Sequence, residues 1–343
     1  GDDADGAHAR ILAAPPAAPV RRASAGCLRP APPTITFRAV SPPLSDTPAA
    51  ARPRPGRVLA VCSNKGGVGK TTLATNLAIY LRALHEELPI LIFSLDDQGI
   101  IERMFGLGGR LPGDGNVKHG WSERSFERVI HLGQYGVHFV PSSPDTALLK
   151  ARAEDPRTLQ RILERTEWPG LVIVDTKSDL EALTRNALFA ADRVLVPVSD
   201  WASLEEAGKV FAILARAGLP ERARVVLTLV DRRTHVESTG EELADRLREE
   251  IERRGWPVCR ASISRSPRVE ALNSESDQPL SILHAARGTA VHRELRELAE
   301  EVAADLGLGP GLRVLRSEPR PPVGSRSAIA GFKTALLRGR FRL

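Results

Sequence analysis

The sequence has few aromatic residues and few cysteines, and it contains no long apolar run. Aromatic side chains make up 4% of the 343 residues and hydrophobic residues make up 42%, so aliphatic side chains must build most of a sizeable core. No run approaches the ~18 apolar residues that a membrane-spanning helix needs. The first residues lack the basic-then-apolar order of a secretory signal. These absences argue against an integral membrane protein and a secreted one.

The three cysteines, Cys27, Cys62 and Cys259, are far apart in the chain. An odd and unclustered set argues against a disulfide framework and against a zinc site. We therefore expect a protein of the reducing cytoplasm.

Positive charge is concentrated at the two ends of the chain. The net charge is +6, but residues 1–57 hold eight Arg and four Asp (+4) and residues 313–343 hold eight Lys/Arg and one Glu (+7), which leaves −5 for residues 58–312. Basic arms favour a polyanionic partner. The alternative is that they only keep the protein soluble.

Composition divides the chain into three parts. Residues 1–56 are rich in Pro, Ala and Arg and are predicted to be a disordered arm, and residues 311–343 are predicted to be a basic tail, also disordered. Residues 57–310 alternate short apolar runs with helical patterns, which predicts an α/β domain with a mostly parallel sheet and helices on both faces. The predicted strands are residues 58–62, 90–93, 137–140, 171–174, 194–198, 225–229 and 257–259. The predicted helices are residues 71–85, 145–166, 180–190, 203–217, 238–253 and 287–306, and residues 108–120 are predicted to be a mobile glycine-rich loop.

Residues 63–72, with the sequence SNKGGVGKTT, lie between the first predicted strand and the first predicted helix. Glycines let the backbone curl so that successive N–H groups point at phosphate oxygens, and the helix adds the positive end of its dipole. Lys70 can reach the β- and γ-phosphates, and the Thr71 hydroxyl can bind Mg²⁺. The pattern predicts an ATP-binding phosphate loop. The predicted nucleotide-binding residues are Lys65, Gly66, Gly67, Val68, Gly69, Lys70, Thr71 and Thr72.

A second lysine at the start of the loop is not required by the general phosphate-loop pattern. The sequence KGGVGKTT, followed by Asn76-Leu77-Ala78, resembles the deviant Walker A motif of the ParA/MinD family of P-loop ATPases. The resemblance extends from about Arg57 to Leu306. It implies that Lys65 reaches across a homodimer interface to the partner's ATP. Lys65, Lys70 and Asp96 are the implied catalytic residues.

Two further segments resemble family motifs but depart from them in part. Residues 95–99 resemble the D-x-D-P-Q-G segment, which implies that Asp96 helps to position the attacking water, although Ser94 stands where the family has its first aspartate. Asp96 could instead be a helix N-cap. Residues 171–175 have the Walker B layout of an apolar strand ending in aspartate, which implies that Asp175 holds Mg²⁺ through a water. The loop after it reads Thr176-Lys177-Ser178-Asp179 instead of the family's Cys-Pro-Pro, so dimer contacts are expected to differ.

Two arginine-bearing segments follow later strands. Residues 231–234 and 264–268 resemble the D-x-R-T and P-R-x-x-R segments with which ParA relatives grip the DNA backbone without reading its sequence. The implied DNA-binding residues are Arg232, Arg233, Arg265 and Arg268. Such a contact weakens steeply with salt. The alternative is that these arginines are only solvated.

The resemblance is closest to ParA-type partition ATPases. It implies a slow, cytoplasmic, nucleoid-associated ATPase that dimerises with ATP and Mg²⁺, binds DNA non-specifically and is stimulated by a ParB-like or other cargo adaptor. The alternative is a MinD-like division regulator, because apolar and basic residues near the C-terminus have roughly helical spacing, as in a membrane-binding amphipathic helix. That tail could equally bind DNA or be inert. A metabolic relative is less expected, because the reductase needs paired cysteines at a dimer interface, whereas Cys62 and Cys259 lie in predicted buried strands, and the amidoligase needs a glutaminase domain for which no room remains. A DNA binder without hydrolysis, suggested by Ser94, is a further alternative.

Overall fold

The computed structural model describes residues 56–106, 115–231, 242–274 and 280–308. The predicted disordered arm up to residue 55 and the predicted basic tail lie outside the described residues. So do Arg232 and Arg233. No helix in the described part of the chain is long and apolar enough to cross a membrane.

The described strands form a single sheet. They are β1 (Arg57–Val61), β2 (Ile90–Ser94), β3 (His131–Leu132), β4 (His138–Phe139), β5 (Leu171–Asp175), β6 (Arg193–Val198), β7 (Ala223–Val230) and β8 (Val258–Ser264). Their order is β3-β4-β2-β5-β1-β6-β7-β8. Neighbouring strands are parallel except β3 and β4, which are antiparallel. The predicted mostly parallel sheet is confirmed.

Helices cover both faces of this sheet. The described helices are α1 (Lys70–Leu84), α2 (Ile100–Phe105), α3 (Val117–Glu123), α4 (Thr146–Arg152), α5 (Thr158–Thr166), α6 (Ala182–Ala190), α7 (Trp201–Arg216), α8 (Leu243–Arg253), α9 (Pro267–Ser274), α10 (Ile282–Ala285) and α11 (Ala290–Asp305). Side chains of α1 and α11 pack in the apolar core on one face, and side chains of α5, α6 and α7 pack in the core on the other. The central strands therefore need apolar side chains on both faces, which is why they are continuous apolar runs in the sequence.

The predicted helix over residues 145–166 is wrong in its continuity, because it is two helices, α4 and α5. Pro156 lies between them, and a proline disfavours the helical conformation at the residue before it. The Asp155 side chain accepts a hydrogen bond from the backbone N of Arg157 at 2.9 Å in the turn that precedes α5. Charged residues on either side of the proline hid this break in the amphipathic pattern.

The predicted loop over residues 108–120 is wrong in its second half, where α3 begins at Val117. The Asn116 side chain accepts from the backbone N of Lys118 at 3.0 Å and caps this helix. Val117 and Trp121, both in this helix, are buried. Residues 107–114 lie outside the described part of the chain.

The edge strands are the least well predicted. β3 is missed because its two residues, neither of them buried, are not part of an apolar run, and β8 extends to Ser264 beyond the predicted three residues. In β8 the buried residues Cys259, Ala261 and Ile263 alternate with more exposed ones. An edge strand with this alternation does not form the continuous apolar run that marks the inner strands.

Candidate functional site

The glycine-rich segment lies where the strand order reverses. β1 ends at Val61 and α1 begins at Lys70, so the segment between them crosses the carboxyl edge of the sheet. From β1 the chain goes to β2, on one side of β1 in the sheet. After β5 it crosses over β1 to β6, on the other side. The crevice at such a switch point is where open α/β sheets bind ligands.

The backbone of this segment needs glycine at two positions. Gly67 and Gly69 have φ values of 76° and 84°, in the left-handed region that other residues rarely adopt. A Cβ atom at either position would meet nothing within 4 Å, so the loop lines open space. The loop is fixed from behind, because the Thr228 hydroxyl donates to the backbone O of Val68 at 2.9 Å. The predicted phosphate loop therefore has a concave and accessible backbone.

Lys70 is held at the centre of the loop. Its side chain is largely buried, and its Nζ donates to the backbone O of Lys65 at 3.2 Å and to the Ser178 Oγ at 2.5 Å. Burial lowers the pKa of Lys70, and the nearby Asp175 carboxylate opposes that change. An ammonium has three N–H groups, so these two bonds leave one to point at an anion in the loop.

Asp175 is the buried acidic centre of the site. Its Oδ2 accepts hydrogen bonds from the hydroxyls of Thr71 and Ser94, each at 2.9 Å. Its Oδ1 is buried and has no hydrogen-bond partner among the described residues. Burial raises the pKa of Asp175 to about 6, although the two hydroxyls and Lys70 act against it.

This donor set fits a magnesium ion. Mg²⁺ prefers hard oxygen ligands and is commonly bound by one or two protein groups, with waters and phosphates completing its shell. Thr71 Oγ1, Asp175 and Ser94 supply only oxygen, and the buried Asp175 Oδ1 lacks a partner in the described structure. No group of three or more His, Cys, Asp or Glu side chains suited to a metal occurs among the described residues. The site would therefore hold an ion only together with phosphate and water.

Asp96 follows β2 at the same edge of the sheet. Its backbone N donates to the Ser94 Oγ at 3.1 Å, and its Oδ1 accepts from the backbone N of Asp97 at 2.8 Å. Burial raises the pKa of Asp96, and the Asp97 carboxylate adds to this rise, while the hydrogen bond from the Asp97 backbone opposes it. Its alternative role as the N-cap of α2 is wrong, since Gly99 occupies that position. The structure thus brings the predicted residue to the edge that also carries Lys70 and Asp175.

Lys65 is exposed and faces the start of α7. Its charge lowers the pKa of Asp200 and of Glu206, although neither effect is the largest for those carboxyls. The adjacent Asn64 donates from Nδ2 to the Glu206 side chain. The loop is therefore attached to α7 beside the lysine, while Lys65 itself is at the surface.

A second opening adjoins the loop on the β7–β8 side. It has about 560 Å³ of space, including solvent at its mouth, and is lined by the loop, α1, α11 and the ends of β7 and β8. Among its lining residues are Gly69, Thr72, Leu73, Thr228, Ile263 and Ser266. Most of the exposed lining is apolar, as is typical of cavities that bind small molecules.

Arg265 and Arg268 lie beyond this opening, after β8. Arg265 is exposed and forms an ion pair with Glu270 at 2.9 Å. Arg268 is exposed and donates from Nη2 to the backbone O of Ala285 at 2.7 Å. Both follow the carboxyl end of β8, at the same edge of the sheet as the glycine-rich loop. Of the four predicted DNA-binding arginines, these two are the ones that the structure describes.

Motif reasoning missed two contributors to the site, Ser178 and Glu206. Ser178 contacts the Lys70 ammonium, and Glu206 contacts the phosphate loop through Asn64. The only signal for Ser178 was the departure from the family pattern after Asp175. Glu206 lies on a helix with no motif, so its position could not be read from spacing. Cys62 and Cys259 are buried, as expected of cysteines in core strands.

Comparisons with known proteins find both sequence relatives and solved structures of similar fold. A family model described as an AAA domain matches residues 56–209. The chain is 34% identical to the chromosome-partitioning ATPase Soj of Thermus thermophilus over 256 residues, which cover 72% of this chain and 96% of that protein. It is 30% identical to the chromosome partitioning protein ParA of Caulobacter vibrioides, over 64% of this chain and 85% of that protein.

Solved structures show the same fold. The septum site-determining protein MinD of Pyrococcus horikoshii, complexed with Mg-ADP, has a TM-score of 0.58 at 19% identity and covers 74% of this chain and 98% of that one. Cobyrinic acid a,c-diamide synthase of Mycobacterium smegmatis, with a bound ATP analogue and magnesium, has a TM-score of 0.55 at 23% identity, over 74% and 97% of the two chains. At these identities the likeness concerns the fold alone.

Proposed function

This chain belongs to the ParA/MinD family of P-loop ATPases, and on that basis we propose that it is an ATP-dependent dimerising switch that binds DNA non-specifically and partitions or positions cargo. The observation that carries the proposal is the arrangement of Lys70, Thr71 and Asp175 around an open glycine loop, with Lys65 exposed at its rim. This arrangement matches what a phosphate chain with Mg²⁺ requires.

ATP fits the loop in one orientation. The apolar opening on the β7–β8 side accepts the base, and the loop from Lys65 to Thr72 holds the phosphates with backbone N–H groups and the Lys70 ammonium. Thr71 and Asp175, which meet on the β5 side of β1, would hold the magnesium ion. When bound, the ion neutralises charge on the phosphate oxygens. The terminal phosphate then lies toward β5 and β2.

Asp96 orients the water that attacks this phosphate. Its backbone N donates to Ser94, on the β2 side of Asp175, and burial makes its carboxylate a better proton acceptor than an exposed carboxylate. Ser94 is neutral, so one negative charge of the family pattern is missing beside the metal. We propose slow hydrolysis. Measurement of phosphate release by purified protein tests this, and Asp96→Asn should retain ATP binding while turnover falls by about 10²-fold or more.

Lys65 links nucleotide binding to dimerisation. It is at the surface beside the loop, from which a side chain can reach the phosphates of a second copy. ATPγS should convert the wild type from monomer to dimer in analytical ultracentrifugation, and Lys65→Ala should remain monomeric although it binds the nucleotide. Lys209→Ala, a nearby exposed lysine on α7, is the matched control and should dimerise. A Lys65→Ala protein that dimerises normally would contradict the role of this lysine.

The dimer presents its arginines to DNA. Arg265 and Arg268 are exposed after β8, and we propose that Arg232, Arg233 and the basic arms, residues 1–56 and 311–343, extend the same contact. An electrophoretic shift assay with and without ATPγS at two salt concentrations tests it. Replacing Arg265 and Arg268 by Ala should weaken binding on any sequence and lower the salt slope by about 0.9 for each DNA phosphate that the variant no longer neutralises. Equal DNA binding without nucleotide would count against a switch.

A cargo adaptor, ParB-like or of another kind, is proposed to stimulate hydrolysis and release the dimer from the nucleoid in the cytoplasm. The MinD-like alternative places the ATP-bound dimer on a membrane instead. Co-sedimentation with anionic liposomes, with and without residues 327–343, separates the two. Pelleting that requires ATP and the tail would favour the membrane, and pelleting with DNA alone would favour partition.

A further inference from the structure

The loop after β5 reaches over the phosphate loop. Ser178 Oγ lies 2.5 Å from Lys70 Nζ, and a Cβ atom on Gly66 would lie 3.9 Å from the same oxygen. The hydrogen bond to Lys70 and the closeness to Gly66 together place this hydroxyl beside the predicted phosphate loop. The loop belongs to the site and does not merely connect β5 to α6.

The direction of the Ser178 hydroxyl hydrogen follows from this contact. An ammonium can only donate, so Ser178 must accept from Lys70 with an oxygen lone pair. The hydroxyl hydrogen then points away from Lys70, and it has no acceptor within the described residues. It is ready to be donated to an anion that shares Lys70.

The position of Ser178 along the phosphate chain follows from the sheet order. The apolar opening for the base is on the β7–β8 side of β1, and the metal-binding Asp175 ends β5 on the opposite side. Ser178 comes three residues after Asp175. Because Ser178 also contacts Lys70, a phosphate chain that runs from the base across β1 would end near Ser178.

The same loop is connected to the segment that carries Asp96. Lys177 Nζ lies 3.4 Å from the Asp97 Oδ2 and forms an ion pair with it, and the Asp97 backbone N donates to Asp96 at 2.8 Å. The loops after β5 and β2 thus close around one point, the end of the sheet at which the terminal phosphate is expected. Both Lys177 and Asp97 stand where the family pattern has proline.

We propose that Ser178 is a further residue of the phosphate site, which donates a hydrogen bond to the terminal phosphate and so distinguishes a nucleoside triphosphate from a diphosphate. This inference rests on the proposed ATP-binding function. The hydroxyl supplies a neutral donor beside the Lys70 ammonium, at an end of the phosphate chain that a diphosphate does not reach.

The test measures nucleotide affinity by isothermal titration calorimetry on the full chain, with ATPγS and with ADP, each with MgCl₂. Ser178→Ala should bind ATPγS about tenfold more weakly, because it cannot donate a hydrogen bond to the charged phosphate, while ADP affinity changes less than about twofold. Ser178→Thr keeps a hydroxyl and should retain the preference. Ser122→Ala, an exposed serine on α3, is the matched control and should behave as wild type.

The remaining outcomes also test the role of Ser178. Equal weakening of both nucleotides would mean that Ser178 only orients Lys70, and no weakening of either would mean that it makes no contact; both results overturn the inference and leave the proposed function in place. A wild type that binds neither nucleotide overturns both. Ser178→Cys, nearly the same size but a weak donor, should behave like Ser178→Ala and replaces it if that variant does not fold.

Dimerisation could contribute to the affinity for ATPγS, so the comparison is repeated with Lys65→Ala. The tenfold difference should persist in that background. Its disappearance would assign the effect of Ser178 to the dimer interface and overturn direct contact with the phosphate. As an independent measurement, ³¹P NMR of bound ATPγS should show a shifted terminal phosphate resonance in Ser178→Ala and an unchanged α-phosphate resonance.

Discussion

Replacing Asp175 by Asn should make the protein more stable while it removes magnesium-dependent nucleotide binding. The carboxylate is completely buried, and burial raises its pKa from 3.8 to about 6. That difference corresponds to ~3 kcal/mol of destabilisation when the group is ionised, at 1.36 kcal/mol for each pH unit. A buried charge that is costly to the fold is typical of a functional site.

The expected gain is smaller than this figure. Asparagine carries no charge, and its side-chain oxygen can still accept from Thr71 and Ser94. Its NH₂ group would replace Oδ1, which has no partner among the described residues, at a cost of about 1 kcal/mol. We therefore expect Asp175→Asn to be about 2 kcal/mol more stable than wild type at pH 8 in urea unfolding without nucleotide or divalent ions.

The pH dependence gives the sharper check. Because the folded-state pKa of Asp175 lies above its ordinary value, wild type loses stability as the pH rises from 3.8 through about 6. The advantage of Asp175→Asn should therefore be largest above pH 7 and fall to about 0.5 kcal/mol at pH 5. Asp245→Asn, at an exposed position on α8, is the control and should show no such trend.

A less stable Asp175→Asn at pH 8, or a difference that does not change between pH 5 and pH 8, would refute this reasoning. It would mean that the hydrogen bonds of the Asp175 carboxylate offset the free-energy cost of burying its charge. In the same protein, calorimetry should show ATP binding that no longer responds to added MgCl₂.

Three further predictions concern other parts of the described structure. Burial lowers the pKa of His138, so its neutral ring contributes stability above pH 6.5 that is lost as the pH falls through its folded-state pKa. His138→Phe should therefore show a flatter dependence of melting temperature on pH than wild type. Parallel curves for the two proteins in thermal unfolding between pH 5 and 7.5 would contradict this. Asp97→Lys or Lys177→Asp alone should each reduce stability. The charge-swapped double variant should recover a coupling of about 0.2–1 kcal/mol in a double-mutant cycle, a small value because both groups are partly exposed. Purely additive effects would show that this ion pair does not hold the loops after β2 and β5 together. Gly170→Ala should prevent folding to a soluble monomer, because its Cβ would overlap the backbone O of Pro89; soluble protein with the wild-type circular dichroism spectrum would disprove this.

Much of the fold could be predicted from local pattern because the inner strands are buried on both faces. Such strands must be apolar throughout, so β1, β2, β5, β6 and β7 stand out as runs between helical segments. The edge of the sheet gives no such signal. β3 has two residues and β8 alternates buried with exposed side chains, and the structure was needed to find the first and to extend the second.

The phosphate loop could be predicted because its chemistry is local in sequence. Gly67, Gly69, Lys70 and Thr71 act through backbone conformation and short side chains within a few residues of each other. Their spacing alone therefore indicates a nest for phosphate at the start of a helix. The same holds for the strand that ends in Asp175, whose position relative to β1 follows from the general arrangement of such sheets.

The sequence by itself determined the fold class, the family and the phosphate loop, since each is encoded in contiguous residues. Only the tertiary structure decided which remote groups complete the site. Ser178 meets Lys70 across 108 residues of chain, and Asn64 meets Glu206 across 142. Contacts at such separations depend on how strands and loops are brought together by the packing of the whole sheet, and no local spacing records that.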